Sequence, residues 1–214
     1  MKRILLVALV VLSPSYALAE FPYLKVNIIN FTDASAADVE RVTLAGELVE
    51  QVVNSNEFRD RVLNMTYRKS GKDYVGYTQT TDTPDQILGK IIQAQENFTG
   101  GSEGVLDYYL DMYYKNNRVI GYTSQTDKYI HMNRKFHRSY TPARTTANLF
   151  HEWLHKIGYG HSYSNNSSRP HSVPYKLGSV MGEMAATIAA NGDPVAQAEF
   201  RAEFAKSLAE DFHE

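Results

Sequence analysis

Three of the seven histidines in this 214-residue chain fall within eleven residues, His151 to His161, reading HEWLHKIGYGH. On a helix, side chains four positions apart stack on one face, so His151 and His155 can aim their imidazoles at a common point. Two such rings form a metal grip. Glu152 stands beside that point without being needed as a ligand, where a carboxylate can take a proton from a water bound to the metal. Gly158, three residues past the second histidine, supplies the residue without Cβ that lets a helix end in a left-handed turn. The chain can then bring His161 back to the same ion.

The five positions His151, Glu152, His155, Gly158 and His161 match the HExxHxxGxxH signature, and the stretch resembles the metzincin zinc endopeptidases. Downstream, Ser179-Val180-Met181 resembles the methionine turn that lies beneath the metal in that family, with Met184 as a competing methionine. The resemblance covers His151 to Met181 and implies Zn²⁺ held by His151, His155 and His161, with Glu152 as general base and Gly158 and Met181 as structural supports. It also implies an α+β metzincin-like fold. A twisted mixed sheet with two long helices would stand above the cleft, and a mostly irregular and helical subdomain below. A peptide substrate would bind along an edge strand of the upper sheet. Some metzincins place a tyrosine two residues after the turn methionine; here that residue is Glu183, and Tyr175 is the candidate for stabilising the oxyanion, with His171 as a weaker rival. Ser162 follows the third ligand as in matrixins, but a chain without cysteine has no cysteine switch, and the subfamily stays unassigned.

The flanking elements must deliver these residues. Thr141-Pro142 pairs a cap with a proline at the first helical position and opens a helix carrying Leu149, Phe150 and Leu154 inward. Upstream, Tyr23 to Ile29 reads as a strand, and Asp33 or Ser35 caps a long amphipathic helix reaching Asn54. A short helical piece around Phe58 to Leu63 follows, then a strand at Tyr74 to Thr78. Thr83-Pro84 opens a helix bearing Ile87, Leu88, Ile91 and Ile92. Leu106, Tyr108, Leu110, Met112 and Tyr114 alternate with polar residues, the pattern of a strand with one buried face. Val119 to Thr123 and Lys128 to Asn133 read as two more strands joined by a polar turn, and one of them is the expected substrate-binding edge. His131 and His137 are expected at the surface. Val195 to Phe212 reads as a closing helix.

Lys2 and Arg3, the apolar run Ile4 to Leu12 and the small-residue site Ala17-Leu18-Ala19 read as a signal peptide over residues 1–19; the nine apolar residues, broken by Ser13-Pro14, are too short to span a bilayer. The expected division continues with an upper subdomain over 20–158 and a lower one over 159–214. The absence of cysteine excludes disulfides, thiolate ligands and cysteine catalysis, and export without disulfides suits a bacterial secreted or periplasmic protein. A formal charge of -2, near -4 once Lys2 and Arg3 are removed, offers no global basic field for nucleic acid. The chain is thus expected to be a monomeric secreted zinc endopeptidase acting on protein or peptide, with no nucleic-acid partner and no membrane anchor after signal cleavage. Two alternatives are a peptidoglycan stem-peptide hydrolase and a non-catalytic zinc-stabilised binding or inhibitory module.

Overall fold

The computed structural model describes residues 21–97 and 104–190. The expected signal peptide and the helix expected over Val195 to Phe212 lie outside them.

Strand β1 (Lys25–Thr32) leads to α1 (Ala36–Val53), whose cap is Ser35 in a capping box with Asp38. Asn54 ends α1, and Ser55 caps α2 (Asn56–Leu63). The hairpin β2 (Thr66–Lys69) and β3 (Lys72–Val75) replaces the single strand expected at Tyr74 to Thr78. Its residues are nearly all exposed, so the burial pattern that reveals a strand in sequence is missing. Thr83 and Gln86 form a capping box at α3 (Pro84–Gln93), which buries Ile87, Leu88 and Ile91 as expected.

Strand β4 (Val105–Tyr113) buries Leu106, Tyr108, Leu110 and Met112 completely and lies parallel to β1 and to β6 (Ile130–Asn133). The short strand β5 (Gly121–Tyr122) pairs antiparallel with β6 and ends the sheet, whose order is β1-β4-β6-β5. The result is an α+β architecture with one mixed four-stranded sheet, a separate hairpin and six α-helices among the described residues. None of these helices is long and apolar enough to cross a membrane.

After the single-turn helix α4 (Arg134–His137), Thr141 caps α5 (Pro142–Lys156), the helix that carries His151, Glu152 and His155. It is buried nearly all round, which places it centrally rather than on the surface. Phe150 meets Phe58 edge-on at 5.6 Å between ring centroids and stacks on Trp153 at the same separation. Each of these fully buried aromatics contributes on the order of 2–3 kcal/mol. The indole N–H of Trp153 donates to buried Glu96, which also accepts the Asp107 backbone N–H at 3.0 Å, so one carboxylate joins α5 to β4. Burial raises the Glu96 pKa.

On the other side of α5 lies α6 (Val173–Ala189), and this corrects the expected methionine turn. Ser179, Val180 and Met181 are successive residues of a helix, with Met181 fully buried. Pro174 occupies the helix's first turn, and Gly178 and Gly182, which look like loop punctuation, are buried one turn apart in its body. At Gly178 the missing Cβ lets α6 come close to the backbone of α5, so packing outweighs the poor helix propensity of glycine.

The surface expectation for two histidines is also overturned. His131 is half-buried between Asp111 (Nδ1, 2.7 Å) and Asp127 (Nε2, 3.1 Å), with Tyr122 stacked on its ring at 4.5 Å. His137 is fully buried against Tyr140, with Arg41 and Arg144 nearby. Burial first, then the Arg41 charge, pushes its pKa down to about 3. A histidine neutral in the fold and ordinary when unfolded supports stability fully above the unfolded value near 6.5, and that support is lost as pH falls toward the folded value. In urea titrations of the chelated protein, His137→Gln should therefore reduce the loss of unfolding free energy between pH 6.5 and 4 by roughly 3 kcal/mol relative to wild type.

Candidate metal centre

Helix α5 ends in a Schellman turn. The Gly158 N–H donates to the His155 carbonyl and the Tyr159 N–H to the Leu154 carbonyl, both at 3.1 Å, and Gly158 takes φ +97°. This geometry aims the Tyr159 carbonyl back at the helix, where it accepts the Nδ1–H of His155 at 2.6 Å. The same turn starts the segment that returns His161, whose Nδ1 faces the Ser162 carbonyl at 3.2 Å. His151 engages the Pro174 backbone carbonyl at the start of α6. Nδ1–H bonds to carbonyls leave the Nε2 lone pairs of His155 and His161 facing the common point.

The three rings converge as expected. Nε2 of His151 and Nε2 of His161 are 3.2 Å apart, and centroid separations run from 4.9 to 5.1 Å. One ligand atom from each lies within 4.8 Å of the others, and this is the only such group among the described residues. Burial lowers all three pKa values, that of His161 to about 4; repulsion from neighbouring rings adds to this at His151 and His161, and the Lys156 charge adds to it at His155, so the imidazoles are neutral at pH 7. Two rings with nitrogens in near contact and no proton between them are a poor arrangement by themselves and a good donor set for a cation. His131, held by its two aspartates, is not part of this group.

Glu152 is buried beside the cluster, and burial pushes its pKa up to about 8. Asn148, one turn earlier on α5, donates to its Oε1 at 3.4 Å. Across from this carboxylate runs β5. A Cβ on Gly121 would lie 3.1 Å from Asn148 Oδ1 and 3.3 Å from Glu152 Oε1, so glycine permits the close approach. Both contacts escape sequence reading, because a glycine in a two-residue strand carries no periodic signal.

Tyr175, from the first turn of α6, packs edge-on against His151 and His161 at centroid distances of 4.7 and 4.6 Å. Its hydroxyl accepts from Arg169, whose guanidinium also lies over the ring at 4.7 Å. The rival His171 faces the hairpin instead, stacked on Tyr67 at 5.6 Å, and does not line the cleft. Gly178 packs closely against the first histidine: a Cβ there would lie 3.2 Å from His151 Cβ and from the Ala147 carbonyl. These residues open onto a cleft of about 970 Å³ bounded by Val119 to Gln125 on one side and by α5 and Tyr175 on the other.

No protein-family model matches the chain, and no curated protein or solved structure matches it either.

A single divalent ion should bind per chain, and saturation at about a thousandfold over Kd should raise Tm by about 10 °C. His161→Ala should abolish that shift, and Gly178→Val, which forces α6 off His151, should diminish it. Calorimetry with and without chelator measures both; a full shift in His161→Ala would remove this cluster as the metal site.

Proposed function

We propose that this chain is an exported zinc-dependent endopeptidase with a metzincin-like catalytic arrangement. The observation that carries the reading is the convergence of three neutral imidazoles beside a buried carboxylate on the wall of an open cleft. Three histidines with no fourth protein ligand among the described residues suit a catalytic rather than a structural zinc site, and Glu152 would serve no purpose in the latter. This weighs against a zinc-stabilised binding module. The helix, the turn at Gly158 and the returning His161 follow the signature, while α6 stands where the family's methionine turn is expected.

Zinc bound by His151, His155 and His161 would supply a Lewis acid that lowers the pKa of water toward about 7 and polarises a carbonyl. Glu152 takes the proton from the attacking water. As the C–N bond breaks, the same carboxyl returns that proton to the departing amine nitrogen. A carboxyl raised by burial is suited to both transfers near neutral pH. Asn148 fixes the orientation of its Oε1. Tyr175, anchored by Arg169 and braced on two ligand rings, is positioned to donate its hydroxyl proton in a hydrogen bond to the developing oxyanion. The outer edge of β5 offers backbone groups to an extended peptide laid along the cleft.

Glu152→Ala should keep its zinc and lose hydrolysis of a peptide library by about 10²–10⁴-fold. Tyr175→Phe should lower kcat by about 10²-fold with zinc content unchanged. Wild-type turnover in Glu152→Ala would refute the proton-transfer scheme, and wild-type turnover in Tyr175→Phe would remove the tyrosine from it. Release of peptides from isolated sacculi, with no cleavage of unfolded protein, would redirect the reading to cell-wall stem peptides.

A further inference from the structure

The cleft carries a charge opposite to that of the chain. Its lining includes Lys115, Arg118, Arg144 and Arg169, and Glu152 is the sole carboxylate among the lining residues. The protein as a whole is acidic, with a formal charge of -2. A locally cationic groove in an acidic protein attracts ligands of the opposite sign.

Three of these cations gather at one end. Gly121 lies beside Asn148 and Glu152, and Gln125 lies beside Gly158, so the β5 segment and α5 run along the cleft in the same sense. Arg118, upstream of Gly121, therefore falls at the end marked by Arg144, one turn before Asn148. Arg144 is held with its guanidinium 3.7 Å from the Tyr140 ring centroid, and Tyr140 also lines the cleft.

The loop that presents Lys115 and Arg118 is built rather than slack. Asn133, fully buried, accepts the Lys115 backbone N–H at 3.2 Å and donates to the carbonyls of Lys115 and Val119, both at 2.9 Å. Its own N–H donates to the Ile120 carbonyl at 2.8 Å. One buried amide thus secures the loop at three points, so little ordering remains to oppose binding.

We infer that this end of the cleft, Lys115, Arg118 and Arg144, selects acidic segments of protein substrates, a preference that rests on the peptidase reading of the same cleft. Arg144 precedes Glu152 by eight residues, about 12 Å along the helix. An extended peptide covers that distance in about three to four residues. The favoured Glu or Asp side chains accordingly stand three or four positions from the scissile bond, in reach of the cations and clear of Glu152.

Binding and cleavage are measured separately. Labelled peptides alternating Glu and Ala, with Gln and Ala and with Lys and Ala, are titrated by fluorescence anisotropy into the zinc-loaded Glu152→Ala protein. The Glu peptide should bind about tenfold more tightly than the Gln peptide, as expected of a few exposed ion pairs. The advantage should vanish near about 0.5 M NaCl and reverse in the added double variant Arg118→Glu/Arg144→Glu. Arg118→Glu alone, on an exposed loop, is the second variant should the double one fail to fold, and should halve the advantage or more. Equal affinity for Glu and Gln peptides, or an advantage untouched by charge reversal, overturns the inference. Wild-type protein that cuts both peptides with equal kcat/KM also overturns it and leaves the peptidase reading standing. Charge-selective binding with no cleavage of any peptide does the reverse.

Discussion

The turn at Gly158 governs the geometry of the candidate site. By ending α5 in a Schellman motif, it presents the Tyr159 carbonyl to Nδ1 of His155 and starts the segment that brings His161 back. One turn therefore sets both the tautomer of His155, whose ring N–H donates to the Tyr159 carbonyl, and the position of His161. The Tyr159 ring is fixed in its turn, since its hydroxyl donates to Asp82 at 2.9 Å and Lys90 lies over its face. The order around the ligands thus reaches the start of α3.

Helix α5 can serve as a ligand platform because it is enclosed. The sheet and α1 cover one side and α6 covers another, with Gly178 against His151. Burial makes protonated imidazole costly, which keeps the donor nitrogens available, and the same burial raises Glu152. One environment thereby keeps three imidazoles unprotonated and raises the carboxyl beside them. Lys156, at the end of the same helix, is buried as well; its ammonium donates to the carbonyls of Asp127 and Tyr129 and ties the β5–β6 loop to the helix.

The opposite wall is organised by backbone. Strand β5 is only two residues long, yet its neighbours are held by Asn133 upstream and by the Thr123 hydroxyl, which donates to Tyr129 at 2.7 Å, downstream. A short edge anchored at both ends offers hydrogen-bonding groups without exposing a long strand to unwanted pairing. His131, clasped by Asp111 and Asp127, strengthens this wall from behind.

Much of this was legible from local signals. The caps Ser35, Thr83 and Thr141, the alternation of β4, and the spacing of His151, Glu152, His155, Gly158 and His161 all concern residues within a few turns of one another. Such features express backbone periodicity, which sequence carries directly. The rest was decided by contacts between distant segments. Nothing local distinguishes Gly178 and Gly182 inside a buried helix from glycines in a turn, and nothing local buries His137 or places Arg169 on Tyr175. The hairpin β2–β3 shows no alternation because it has little buried face. Sequence by itself determined which side chains could grip a metal. Tertiary structure decided what surrounds them, because burial, close approach and charge at a cleft exist only once separate segments have packed.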